Sequence, residues 1–310
     1  MTTVLSSTLN RASRSPRARK MIESVPVTRR VVDRFVAGES TYDAVRCARQ
    51  LSESGKSFTI DLLGEDVVDI SGARAIRDGY ITLLWELHEA GISDGADVSL
   101  KLSALGQALP TDGASVATEH AVQICTAAAA VGATVSLDME DHTTTDSTLA
   151  VGDALRQEFP TVATVLQSNL KRTPGDIEAL AASGSRVRLV KGAYKEPASV
   201  AHQHKADVDE AYRRDIGALM ASTCRPMIGT HDPVMLDVAS TAARLHGRAE
   251  DEWEFQMLYG VRPDLQERAV AAGHTMRVYI PYGSDWYGYF MRRLAERPAN
   301  VAFFLRALTR

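Results

Sequence analysis

From residue 57 onward the chain repeats one alternation eight times, a short strand pattern followed by a helical one. The strand candidates are 57–65 (SFTIDLLGE), 97–105 (DVSLKLSAL), 133–141 (ATVSLDMED) and 161–169 (TVATVLQSN), then 186–194 (RVRLVKGAY), 225–232 (RPMIGTHD), 252–260 (EWEFQMLYG) and 276–283 (MRVYIPYG). Helical spacing of apolar residues fills 71–90, 114–131, 145–157, 175–183, 203–222, 233–246 and 263–272 between them, and an eighth helix follows residue 283. Strands joined one after another through helices argue for parallel pairing, so the series predicts a parallel sheet. Eight units predict closure into an α/β fold of the (βα)8 TIM-barrel type, with a doubly wound open sheet as the rival arrangement.

No Pro-, Gly- or Ser-rich linker divides residues 57–310, so this stretch reads as one barrel domain ending in an amphipathic helix over 297–310. Residues 1–56 read as a separate flexible-to-helical segment. Its beginning is basic, with Arg11, Arg14, Arg17, Arg19 and Lys20 preceding Glu23, and lacks the apolar core of a secretory signal. Residues 21–56 show helical spacing, with Val32, Phe35 and Val36 followed by Ala44, Val45 and Ala48.

Composition excludes several classes of function. A net charge of −4 and a pI near 6.1 give no nucleic-acid footprint. No apolar run of about eighteen residues occurs, the length a spanning helix needs. Cys47, Cys125 and Cys224 are far apart and form no CxxC pair, which predicts buried thiols in a reducing, cytoplasmic setting. His202 and His204 do not complete a metal-ligand pattern, so no metal site is expected. Ser99, Ser103 and Ser136 lack a Gly-x-Ser-x-Gly turn, which leaves acyl transfer without support.

In such a barrel, chemistry sits at the carboxyl ends of the strands. Seven of the eight candidate strands carry a polar side chain late: Lys101, Asp138, Gln167, the Arg188–Lys191–Tyr194 set, the Thr230–His231 pair, Gln256 and Tyr279. Arg188 and Lys191 precede Gly192, a combination suited to close backbone approach and to an anion, yet no GxGxxG or GxxxxGK[ST] motif is present. A nucleotide cofactor would therefore be held in a barrel mode. The eighth helix presents Tyr289, Arg292, Arg293 and Glu296 at i, i+3, i+4 and i+7, one helical face. That face alone would pass for a solvated one. Two guanidiniums converging with polar strand ends instead suit a small carboxylate, which a guanidinium can grip through two parallel hydrogen bonds.

RLVKGAY (188–194), EFQMLYG (254–260) and YIPYGSDWYGYFMRRLAERPAN (279–300) closely resemble the proline dehydrogenase family. DLLGE (61–65), SLKLSAL (99–105), LDMED (137–141), LQSNLKR (166–172), KADVDEAY (205–212) and GTHD (229–232) extend the resemblance in the same order, over about residues 57–300. It implies a short monofunctional enzyme with a distorted (βα)8 barrel, extra N-terminal helices and FAD at the carboxyl ends of the strands. It further implies oxidation of L-proline to Δ1-pyrroline-5-carboxylate by hydride transfer to the flavin. Electrons would pass to a membrane quinone through peripheral contact with the inner face of the cell membrane.

Carried over by motif, Arg292 and Arg293 would pair with the proline carboxylate, assisted by Lys101. Tyr279, Tyr289 and Leu258 would wall the ring, while Asp138 would hold the polar network and Arg188 would stabilise charge on the reduced flavin. Flavin contacts would come from Met139, Gln167, Arg188, Val190, Lys191, Gly192, Ala193, Tyr194, Lys205, Thr230, His231, Gln256 and Glu296. Asp232 and Gly288 depart from the family pattern. No dedicated base for the amine proton stands out. Two other readings stay open: a Schiff-base lyase using Lys101 or Lys191, and a non-catalytic flavin or amino-acid sensor on the same barrel.

Overall fold

In a computed structural model, which describes residues 32–296 and only the backbone of 292–296, the sheet closes. Helix α1 (Thr41–Glu53) precedes β1 (Ser57–Leu62), α2 (Ile70–Glu89), β2 (Asp97–Leu100) and α3 (Gly113–Ala130). Then come β3 (Thr134–Leu137), α4 (Thr145–Arg156), β4 (Ala163–Gln167), α5 (Thr173–Leu180), β5 (Arg186–Val190) and α6 (Lys205–Ala221). The series ends with β6 (Arg225–Gly229), α7 (Pro233–Leu245), β7 (Glu254–Leu258), α8 (Pro263–Ala271), β8 (Met276–Tyr282) and α9 (Trp286–Glu296). All eight strands of the described residues pair in parallel, and β8 returns to β1 over six residue pairs from Ser57–Arg277 to Leu62–Tyr282. Closure removes the open-sheet rival.

Strand parity sorts the chain into two chemistries. Phe58 and Ile60, Val98 and Leu100, Val135 and Leu137, and Val187 and Leu189 are buried and belong to the apolar clusters that carry the helices. The alternate positions hold Thr59 and Asp61, Asp97 and Ser99, Thr134 and Ser136, Arg186 and Arg188, Glu254 and Gln256, Arg277 and Tyr279. These point into the barrel, because several of their bonds cross it to strands that are not neighbours. Arg186 and Arg188 of β5 reach Asp97 of β2 at 3.2 and 3.3 Å. An interior filled with charge is tolerable only when each charge is paired. Here Lys101, Arg186, Arg188 and Arg277 are matched by Asp61, Asp97, Asp138 and Glu254.

The strands are shorter than their sequence patterns, because the last residues of several patterns leave the ladder to line the barrel mouth. The expected strand 97–105 stops at Leu100, and Ser103–Gln107 forms a π-helical turn around Gly106, whose φ of 108° favours glycine. The helix expected over 21–56 is confined, within the described residues, almost entirely to α1. Gly38 at φ 141° breaks the pattern, and Ser40 restarts it through a capping box with Asp43. Ala44, Cys47 and Ala48 of α1 pack into the same apolar cluster as β1 and α2. Residues 1–31 and the expected helix 297–310 lie outside the described residues.

Candidate active site

A cavity of about 590 Å³ opens at the carboxyl ends of the strands, within the size range of small-molecule sites. Every site residue anticipated from sequence whose side chain is described lines it. Lys101, Asp138, Arg188 and Tyr279 form its floor; Gln167, Val190, Lys191, Gly192, Ala193 and Tyr194 come from β4, β5 and the segment after β5. Met139, Lys205, Thr230, His231, Gln256, Leu258 and Tyr289 complete the wall. Arg292, Arg293 and Glu296 are placed on the backbone of α9, one to two turns beyond Tyr289; their side chains lie outside the described residues.

The floor is one connected network. Arg188, only 4 % exposed, donates through Nε to Gln256 at 2.6 Å and through Nη1 to Ser99 at 2.9 Å and Asp138 Oδ1 at 2.8 Å. Its Nη2 meets Asp97 at 3.3 Å, so the guanidinium is committed on all three nitrogens. The Tyr279 hydroxyl donates to Asp138 Oδ2 at 2.6 Å, and the Arg188 guanidinium sits 5.4 Å from the Tyr279 ring centre. Lys101 Nζ lies 3.5 Å from Asp138 Oδ2 and 2.8 Å from both oxygens of Asp61.

Electrostatics follow from this wiring. Burial alone would raise the Asp138 carboxyl, but Lys101, Arg188 and the hydrogen bonds from Tyr279 and Ser99 hold it below the usual range. Burial opposes the Lys101 charge, yet Asp61 and Asp138 outweigh it and push the ammonium well above the ordinary lysine range. Burial, then the charges of Asp138 and Asp61, push the Tyr279 phenol well up, which keeps it a neutral donor. Asp97 is buried too, but Arg186, Arg277 and Arg188 overcome that and hold it down at about 2.

Rim residues are wired separately. Lys191 pairs with Asp209 at 2.6 Å and Asp232 at 3.0 Å, while Lys205 pairs with Asp209. The backbone N–H of Leu258 donates to His231 Nε2 at 2.9 Å, so that nitrogen must be unprotonated. Gly192 takes φ 101°, and a Cβ there would fall 2.1 Å from the Asn169 side chain.

Sequence reasoning missed Asp61, Glu65 and Arg262, all of which line the cavity. Asp61 supplies the polar group of the first strand. Its signal was the parity of SFTIDL, which places Thr59 and Asp61 together opposite the apolar Phe58 and Ile60. Glu65 and Arg262 sit on loops after strands, where periodicity carries no information.

The proline dehydrogenase family model matches residues 44–306. The chain is similar to proline dehydrogenase of Deinococcus radiodurans, 41 % identical over 280 residues, which is 90 % of each chain. It is also similar to proline dehydrogenase 2 of Bacillus subtilis strain 168, 39 % identical over 277 residues, 89 % of this chain and 90 % of that one. Among solved structures, proline utilization A (PutA) from Bdellovibrio bacteriovorus, inactivated by N-propargylglycine, superposes with a TM-score of 0.81 at 24 % identity, which bears on the fold. That match takes in 90 % of this chain and spans about a third of PutA, 33 % of its length. Matched along most of its length by the family pattern and by relatives of its own size, the chain belongs to the proline dehydrogenase family.

Proposed function

We propose that the chain oxidises L-proline to Δ1-pyrroline-5-carboxylate with FAD as the hydride acceptor, the electrons passing on to a membrane quinone. The observation that carries this reading is the floor of the cavity, where Lys101, Tyr279, Asp138 and Arg188 converge beneath the helix that bears Arg292 and Arg293. Peripheral contact of a cytoplasmic protein with the inner face of the membrane completes the proposal. No helix among the described residues is long and apolar enough to cross a membrane.

The residues present fit a flavin dinucleotide. Met139, Val165, Val190 and Leu258 offer apolar wall for a flat ring system, and Gly192 keeps the main chain free of a side chain beside it. Lys191 and Lys205 bring two cations to the rim, where a diphosphate would need them. When bound, FAD supplies the electron acceptance that hydride transfer from a C–H bond requires.

What remains for the protein is positioning and electrostatics. Arg292, Arg293 and the Lys101 ammonium bind the substrate carboxylate in this reading. Tyr289 and Leu258 close on the pyrrolidine ring. Tyr279, fixed by its bond to Asp138, holds its ring against the same space. Arg188, locked by four partners, places positive charge under the cavity without having to reorganise.

The Schiff-base alternative fits this geometry poorly. A lysine nucleophile needs its amine neutral, and Lys101 is kept charged by two carboxylates. A visible spectrum of the purified protein, before and after anaerobic L-proline, tests the proposal. Flavin bands that bleach on adding proline are expected. A flavin spectrum left unchanged reopens the substrate and favours a sensor, and a colourless protein still inactive after added FAD revives the lysine chemistry.

A further inference from the structure

We propose that Asp61 is a positioning residue for proline oxidation: through both carboxylate oxygens it fixes the Lys101 ammonium, charged, at the cavity floor where the substrate carboxylate binds. The inference rests on the proline-oxidising reading for its kinetic consequence, though not for the pairing itself.

Asp61 is 1 % exposed and Lys101 9 %, so the pair meets almost without water. Both Asp61 oxygens lie 2.8 Å from Nζ. An ammonium carries three N–H donors. Two are committed to Asp61, which leaves one to face Asp138 Oδ2, 3.5 Å away, or an incoming anion. Asp138 holds the ammonium less closely than Asp61 does, at 3.5 Å through one oxygen, and it also accepts from Arg188, Ser99 and Tyr279.

The other groups that bear on this ammonium come from several elements. Glu65, from the segment after β1, and Glu140, from just past the end of β3, add their charge to the field at this ammonium. The Tyr279 hydroxyl of β8 is bound to Asp138, and Arg188 of β5 lies beyond that carboxylate. The Tyr80 hydroxyl of α2 stands 3.4 Å from Asp61 Oδ1 but donates at 2.6 Å to the Ser99 carbonyl.

Burial disfavours a charged lysine, and here the nearby carboxylates reverse that preference. With Asp61 present, the ammonium persists across the working range, so Lys101 gives proline binding no alkaline limb. With an amide at position 61, burial regains weight and the proton is lost at lower pH. A neutral amine no longer attracts the substrate carboxylate, so KM rises as pH rises.

The test measures KM for proline, and Ki for cyclopentanecarboxylate, on the holoenzyme from about pH 6 to about pH 10. Wild type is compared with Asp61→Asn and Asp61→Glu. Taking the ratio of variant to wild type removes the titration of the proline amine. For Asp61→Asn the ratio should climb on the alkaline side by up to about tenfold per pH unit, with little pH dependence in the kcat ratio. Asp61→Glu, which restores the charge, should flatten it. A ratio for Asp61→Asn that does not change with pH overturns the proposal, as does an equal alkaline rise in Asp61→Glu.

A second measurement needs no variant at position 61. In wild-type protein labelled with [ε-13C]lysine, with the Lys101 signal assigned by Lys101→Arg, that signal should stay in its ammonium form to about pH 11. Titration below about pH 9 overturns the pairing. Were wild type to show no turnover of proline, the functional reading would fall, and this titration would still decide whether Asp61 holds Lys101.

Discussion

Arg188 on β5 donates to Asp138, just past the end of β3, at 2.8 Å, and the bond crosses the barrel interior instead of running along its wall. The same guanidinium ties β2 through Ser99 and Asp97 and β7 through Gln256. One side chain therefore braces three other strands or their ends and sits directly beneath the proposed reaction centre.

Replacing that brace should damage stability before it damages chemistry. Arg188→Met strands Asp97 and Asp138 in the interior without their shared cation and should cost about 3–5 kcal/mol. Urea titration followed by far-UV circular dichroism measures it. A variant as stable as wild type would mean that the interior charges are compensated by some other group.

Acid should expose the same network. Asp97 ionises at about 2, against an ordinary 3.8, because three arginines outweigh its burial. A depressed carboxylate contributes stability that is fully present above its unfolded value and lost as pH falls through the folded one. Asp97 alone should then account for about 2 kcal/mol, disappearing between about pH 5 and pH 2. Thermal denaturation of wild type and Asp97→Asn across that window checks the sign: the difference between them should shrink as the solution is acidified.

At Gly192 the constraint is steric. The left-handed φ of 101° and the clash of a Cβ with Asn169 predict that Gly192→Ala costs about 1–3 kcal/mol. It should also displace the chain at residues 192–194, which line the cavity. Fluorescence titration with FAD would show weaker binding. Unaltered affinity would place the flavin away from this segment.

Arg292→Met or Arg293→Met should weaken proline binding by about 2–4 kcal/mol, the order expected when a charge-assisted pair loses one partner. Pyrrolidine, which lacks the carboxylate, should be a correspondingly poor substrate of wild type. Equal turnover of pyrrolidine and proline would remove the two guanidiniums from the binding of substrate.

Strand count, parallel order and the helix between each pair of strands follow from periodicities that extend over ten or twenty residues, which is why they can be read from the chain. The same parity assigns Lys101, Arg188, Gln256 and Tyr279 to one face of their strands, and the cavity collects them all. Recognisable motifs did the rest for Gly192, His231 and Tyr289. Where patterns ended, reading ended too: the strand expected to run to residue 105 gives way to a π-helical turn, because Gly106 adopts a backbone that periodicity cannot see.

Asp61 shows the boundary most clearly. Its own stretch announces a carboxylate on the polar face of β1, but nothing local states that this face closes on itself. Only when β8 pairs back to β1, and Lys101 arrives forty positions downstream just past the end of β2, does the carboxylate acquire the ammonium it faces at 2.8 Å. Side-chain polarity and strand order are properties of neighbouring residues and are written in the chain. Which buried charge meets which depends on the register and curvature of the closed barrel, and those are set by all eight strands together.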